Sequence, residues 1–335
     1  MKMKIAINGL GRIGKLSFRA LFGKSNIDIV AINDLATPET LAYLLKYDSI
    51  QGSYKVNNIS FDQNNLIIED KKILLFQEKD PQNLPWKKLG VDIVLECTGL
   101  FTNEEKAKLH LKAGAKKVLI SSPATGNIKT IVFNVNDDIL TKEDHIISSA
   151  SCTTNCLALI VKVLNDNFGI NQAFMTTVHS YTNDQSLIDQ NYPKGIRYRR
   201  GRAAAYNMIP SSTGAAKAIG LVIPELKGKI DGMAIRVPTL SGSLVDLTAE
   251  LNQEVTPDIV NKVFKKNVNE TLAYIEDPIV SSDIIGSLYG SLYDSNTIQV
   301  LKERPRFVKL ISWYDNEMSY VSQLVRLLDK MINLI

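Results

Sequence analysis

The run Ala150-Ser151-Cys152-Thr153-Thr154-Asn155 sets a thiol just ahead of Cys156 to Phe168, an apolar helical stretch closed by Gly169, a residue suited to the position after a helix. At a helix start, unpaired backbone N–H groups and the positive end of the macrodipole favour a thiolate, which is the nucleophilic form of cysteine. The plainer alternative is a small buried hydrophobe. A base has one good candidate. His110 falls in a predicted surface helix and His145 in a charged turn, whereas His179 ends the apolar strand Thr176-Thr177-Val178. With that strand end aimed at the helix start, Cys152 and His179 make a thiolate–imidazolium pair carrying its own general base. Otherwise His179 is a satisfied core histidine.

A second constellation opens the chain. The strand Lys4 to Asn8 runs into Gly9-Leu10-Gly11-Arg12-Ile13-Gly14, then a helical pattern, then a second strand, Ile27 to Ile32, ending at Asn33-Asp34. In this context the glycines form a dinucleotide fingerprint: Gly9 for a tight turn, Gly11 for close approach of backbone to a pyrophosphate, Gly14 for packing helix on strand. Asp34 stands where a carboxylate accepts from both ribose hydroxyls and repels a 2′-phosphate, which favours NAD over NADP; the alternative is a turn residue after a strand.

The elements that must position these groups fall into two styles. Up to about residue 150, strands alternate with helices: Val91 to Cys97, a helix from about Thr102 to Lys112, then Lys117 to Ile120. That pattern predicts a Rossmann-type α/β domain with a parallel sheet, whose ligands bind beyond the carboxyl ends of the strands, so Thr98, Phe101 and Ser121 face the cofactor. Residues 54 to 76 alternate as short antiparallel strands, read as an insertion at the sheet edge. Beyond residue 150, strands at Gln172 to Ser180, Lys229 to Val237, Ser243 to Leu251 and Arg306 to Ser312 lengthen, with helices at Ser211 to Ile219 and Pro257 to Lys266. This predicts an α+β domain with a largely antiparallel sheet. The expected division is 1–150 and 151–315, with an amphipathic helix over 316–335 packing back on the first domain.

With 335 residues, 45% of them hydrophobic, and a formal charge of +4, the chain is long enough for two domains and shows no nucleic-acid bias. The basic cluster Lys194 to Arg202 suits either a phosphorylated substrate or a solvated loop. No run approaches the length of a membrane span. Cys97, Cys152 and Cys156 are odd in number and lack metal-site spacing, which points to a reducing cytoplasm and no metal.

Six motifs together resemble phosphorylating glyceraldehyde-3-phosphate dehydrogenases over essentially the whole chain: Asn8 to Gly14, Ala150 to Cys156, His179 to Gln185, Ser212 to Lys217, Arg236 to Thr239, and Trp313 to Glu317. The resemblance implies an NAD-dependent glycolytic oxidoreductase with Cys152 as nucleophile and His179 as base. It implies cofactor contacts from Gly9, Gly11, Arg12, Ile13, Gly14, Asp34, Thr98, Ser121 and Asn316, the last holding the nicotinamide carboxamide; a helix N-cap is the other reading of Asn316. Thr182 and Arg236 would hold the substrate phosphate, and Ser151, Thr153, Thr213 and Gly214 the inorganic phosphate, with Arg200 close to both; Arg236 also suits an internal pair. A homotetramer in the cytoplasm is implied as well. Residues 186–201 run a few residues longer than the common bacterial loop. The rivals are an erythrose-4-phosphate dehydrogenase, a Cys/His hydrolase, which has no use for the glycine fingerprint, and a nucleotide-binding protein that contacts RNA.

Overall fold

A computed structural model describes residues 2–335 except 194 and 196, so Lys194 of the basic cluster lies outside the described residues. The chain divides into two compact units. The first runs to Ile131 and adds Asp137–Ala150 and Leu324–Ile335; the second comprises Val132–Asn136 and Ser151–Gln323.

In the first unit, the elements are β1 (Met3–Asn8), α1 (Arg12–Leu21), β2 (Ile27–Asn33), α2 (Pro38–Lys46), β3 (Ile59–Phe61), β4 (Asn65–Ile68), β5 (Lys71–Phe76), α3 (Trp86–Leu89), β6 (Ile93–Glu96), α4 (Glu104–Lys112), β7 (Lys117–Ile120), β8 (Lys129–Thr130) and β9 (Ile146–Ser148). Among the described residues they form one sheet in the order β3-β4-β5-β2-β1-β6-β7-β9-β8. β1 pairs in parallel with both β2 and β6, so the strand order reverses there and opens a crevice beyond their carboxyl ends. Ile5, Ile7, Ile29, Ile32 and Leu95 are buried, as strands covered on both faces require. The 54–76 region departs from expectation: β3 and β4 are antiparallel edge strands, but β5 joins β2 in parallel and extends the main sheet.

The second unit contains α5 (Cys152–Phe168), β10 (Ile170–Ser180), β11 (Ile209–Ser212), α6 (Ala215–Val222), β12 (Ile230–Val237), β13 (Ser243–Leu251), α7 (Pro257–Lys266), β14 (Leu272–Ile275), β15 (Ser291–Leu301) and β16 (Arg304–Tyr314). Its sheet, in the order β11-β12-β10-β13-β16-β15-β14, is mixed but mostly antiparallel, with β10–β12 and β14–β15 parallel. α5 is apolar nearly all round and packs on β15 and β16. The expected helix at 211–219 starts only at Ala215, because Ile209–Ser212 pairs with β12 as an edge strand. The final helix, α8, spans Met318–Ile332, shorter than the 316–335 read from periodicity. Its later part belongs to the first unit, where Lys24 pairs with Asp329 at 2.7 Å and Lys330 with Asp137 at 2.5 Å.

Candidate active site

In the first unit, Asn8, Gly9, Gly11, Asn33, Asp34 and Thr98 line a cleft of about 520 Å³ at the carboxyl ends of β1, β2 and β6. Each glycine of the fingerprint answers a different constraint. Gly9 has φ +89°, and a Cβ on it would stand 2.8 Å from the Thr98 side chain. A Cβ on Gly14 would lie 1.9 Å from the Gly9 carbonyl oxygen. Nothing of the protein lies within 4 Å of a Cβ on Gly11, so the space there is free for a ligand, and α1 begins with no side-chain cap over its N–H groups. Asp34 accepts from Leu10 N at 2.7 Å and Ala36 N at 2.9 Å, one bond to each oxygen, which fixes its carboxylate at the cleft wall.

Thr98 and Phe101 line the cleft; Ser121 does not, and bonds the Cys97 thiol instead. Arg12, Ile13 and Gly14 are not among the residues that line it, and Arg12 is held with Lys15 on the buried Asp48. Burial works against the Asp48 carboxylate, but the N–H groups of Gln51 and Ile50 together with Lys15 and Arg12 hold it well below the usual carboxylate range. His110, expected on the surface, is buried: it takes a bond from Trp86 Nε1 at 3.2 Å on Nδ1, so its Nε2–H faces Glu96 at 3.0 Å. Glu96 also receives Asn8 Nδ2 and the Thr98 N–H, so it anchors two residues of the cleft wall.

Sequence reasoning missed Glu78 and Lys79, which also line the cleft. Glu78 exchanges two backbone bonds with the Asn33 side chain, each 2.9 Å. They follow β5, and the rule that ligands gather at carboxyl ends would have found them had β5 been read as parallel.

In the second unit, Cys152 is the first residue of α5. Ser151 caps that helix, its Oγ accepting from Thr154 N at 3.1 Å, and the preceding Ala150 holds a left-handed φ of 60°, a strained conformation for a residue with a Cβ. The Cys152 Sγ lies 3.5 Å from His179 Nε2. On the other side of the ring, Nδ1 is 2.6 Å from the Ser180 carbonyl oxygen. Arg236 NH1 also lies 2.9 Å from Nδ1, but the carbonyl contact is shorter and NH1 has two other acceptors, which assigns the proton to Nδ1 and leaves Nε2 as the acceptor facing sulfur. Arg236 NH1 donates to the Ser180 oxygen at 3.2 Å and to Thr182 Oγ1 at 3.1 Å.

The surroundings of the pair pull on its charges in opposite directions. Burial raises the Cys152 thiol, opposed by Arg236, the Thr153 hydroxyl and the first N–H groups of α5. Burial and Arg236 push His179 down to about 3. Burial thus works against charge on both partners, and the imidazole Nε2 stands where it can take the thiol proton as sulfur attacks. Burial pushes Cys97 and Cys156 up to about 12, which removes both as nucleophiles at neutral pH.

Around this pair, Asp184 gathers the cations: Arg200 and the Thr182 hydroxyl both bond its carboxylate, and Arg200 NH2 also donates to Ser212 O at 3.2 Å. The Nε of Arg236 is buried and has no partner among the described residues, a donor left for an anion. Thr213 Oγ1 accepts from Ala215 N at 3.2 Å, and Gly214 opens α6 without a side-chain cap. The Thr153 hydroxyl is turned inward to Tyr314 OH at 2.8 Å and lies 4.0 Å from the Cys152 Sγ. Asn316 is no N-cap: its Oδ1 accepts from Gly242 N and Ser243 Oγ, and its Nδ2 has no partner among the described residues. Among those residues no group of three His, Cys, Asp or Glu could hold a metal ion, and no helix is long and apolar enough to cross a membrane.

Residues 3–104 match the family model described as glyceraldehyde 3-phosphate dehydrogenase, NAD binding domain, and residues 151–316 the one described as its C-terminal domain. The chain is 52% identical over 327 residues, 97% of each chain, to a glyceraldehyde-3-phosphate dehydrogenase of Clostridium pasteurianum. It is 52% identical over 326 residues to that of Clostridium acetobutylicum, covering 97% of each, and 49% identical over 331 residues to that of Streptococcus pyogenes, covering 98% of each. The two matched halves and the near-complete overlap, on top of a glycine-lined cleft and a cysteine–histidine pair, mean that the chain belongs to the glyceraldehyde-3-phosphate dehydrogenase family.

Proposed function

We propose that this chain is the NAD-dependent phosphorylating enzyme of glycolysis, converting D-glyceraldehyde 3-phosphate, inorganic phosphate and NAD to 1,3-bisphosphoglycerate and NADH. The observation that carries this reading is the Cys152 Sγ at 3.5 Å from an unprotonated Nε2 of His179, at the start of a capped helix. As sulfur attacks the aldehyde carbon, its proton passes by way of His179 Nε2 to the carbonyl oxygen, and the resulting hemithioacetal hydroxyl lies by the Cys152 N–H and the His179 ring. His179 then takes the hydroxyl proton as hydride leaves carbon, giving a thioester on Cys152 that inorganic phosphate cleaves, releasing the thiolate. Bound NAD supplies the hydride acceptor.

The open space over Gly11 and the uncapped start of α1 suit a pyrophosphate, and Asp34 suits an unphosphorylated ribose, hence NAD over NADP. Asn316 offers its amide N–H groups to the nicotinamide carboxamide. Thr182 and Arg236 take the substrate phosphate; Ser151, the Thr153 N–H, Thr213 and Gly214 take the inorganic phosphate, with Arg200 serving both by leaving Asp184. In this reading residues 1–150 with the final helix bind the cofactor and 151–315 carry the chemistry. The protein acts as a cytoplasmic homotetramer: Phe174 on β10 is 74% exposed and Tyr206 87% exposed, apolar surface of the kind that subunit contacts cover.

The test is the initial rate of NADH formation with and without inorganic phosphate, for the wild type and Cys152→Ser. A phosphate-dependent rate, lost in the variant, is expected. A rate indifferent to phosphate would overturn the reading and favour erythrose 4-phosphate as substrate.

A further inference from the structure

Asn316 is fixed by a chain of hydrogen bonds that leads back to the catalytic base. Its Oδ1 has three neighbours: Gly242 N at 3.2 Å, Ser243 Oγ at 3.1 Å and Ser241 Oγ at 3.4 Å. Ser241 has one proton, and the Asp315 carboxylate at 2.9 Å is both nearer and charged, so that proton goes to Asp315. Gly242 N–H and Ser243 O–H therefore fill the two lone pairs of the Asn316 oxygen. Ser243 has no choice of direction either. Its oxygen accepts from Ser180 N at 3.1 Å, which leaves its own proton for Asn316. Ser180 in turn is the residue whose carbonyl oxygen holds His179 Nδ1. Ser180 and Ser243 are fully buried, so water does not compete for these bonds.

We infer that Ser243 is a positioning residue for hydride transfer: with Gly242 it locks the Asn316 amide so that only N–H donors face the cofactor, and through Ser180 it ties that orientation to the strand end bearing His179. A reversed amide would set its NH2 group against the Gly242 N–H, donor against donor, and leave Ser243 without an acceptor. The group that Asn316 recognises is thus an acceptor, the carbonyl oxygen of a pyridine carboxamide, and the ring face turned toward the substrate follows from that contact. The inference rests on the placement of Asn316 at the nicotinamide proposed above.

The experiment compares wild type, Ser243→Ala, Ser243→Cys and Asn316→Ala with NAD deuterated at C4 of the nicotinamide. It reads Kd for NAD by calorimetry, which should move with KM, KM for NAD, KM for inorganic phosphate, and by NMR the face of the NADH ring that received hydride. For both Ser243 variants, KM for NAD should rise about fivefold, the worth of one neutral hydrogen bond, with KM for phosphate within about twofold of wild type. Hydride should also appear on both faces. The cysteine variant keeps the volume without a good donor, which separates the lost bond from a cavity. If folded Ser243 variants keep a wild-type KM for NAD and a single face while Asn316→Ala loses both, Ser243 does not position Asn316. If Asn316→Ala also leaves both unchanged, the placement of Asn316 falls and the inference with it.

Discussion

His179 is held neutral by two forces that can be removed separately, burial and the Arg236 charge. Its folded-state pKa of about 3 lies below the ordinary 6.5, so between those values the unfolded chain binds a proton that the folded chain refuses. Stability is therefore lost as pH falls through that window, by about 3 kcal/mol at pH 4 from this group alone. Urea unfolding should show a steeper fall in midpoint from pH 6.5 to 4 for the wild type than for His179→Asn; parallel curves would contradict the assignment. Arg236→Gln removes the nearest positive charge and should move the His179 titration upward, seen in the imidazole NMR shifts. An unmoved titration would mean that burial alone sets it. Asp184 belongs to the same balance. Burial raises its carboxyl, while Thr182, Arg200 and Arg236 bring it below the ordinary range, so it stays charged and available as the counter-ion that an incoming phosphate must replace.

At the level of elements, Gly14 is the tightest joint: a methyl group there meets the Gly9 carbonyl oxygen at 1.9 Å and would push α1 off β1. Gly14→Ala should lower the melting temperature and weaken NAD binding at least tenfold by calorimetry, a shift of about 1.4 kcal/mol or more. Ser151→Ala removes the cap of α5 and should cost about 1 kcal/mol in denaturant unfolding. The glycine joints were legible in the sequence because each answers a constraint within a few residues, a positive φ or a close approach. The same holds for Cys152 at its helix start; the Ser151 cap was not read there. What stayed hidden depended on pairing chosen by the fold. Nothing near Lys71–Phe76 reveals that β5 would run parallel to β2, so Glu78 and Lys79 went unnoticed at its carboxyl end. His110 lies between two leucines in a helix of weak amphipathic pattern, and residues outside that helix, Trp86, Glu96 and Phe101 among them, surround it. Ser243 reaches Asn316 across 73 positions, a contact that no local pattern encodes.

Over the whole molecule, the exposed face of the second sheet carries Phe174 and Met233 on neighbouring parallel strands, while Met175 and Ala234 turn inward. In the proposed tetramer Phe174→Glu should shift the mass measured by light scattering below four chains, and the wild-type melting temperature should rise with protein concentration. A monomeric mass for the wild type would remove the proposed assembly. The order of the chain through its two units has another effect. The backbone passes between them after residues 131, 136, 150 and 323, and the first unit includes Leu324–Ile335. On a ribosome, the nucleotide cleft is drafted within the first hundred residues yet its unit stays open until Leu324–Ile335 emerge, long after Cys152 has left the tunnel. During that interval the nascent chain presents a thiol without its finished surroundings. A release assay should then find cofactor retained only by chains extended past Leu324, and a chain halted at residue 150 should be a ready substrate for chaperones.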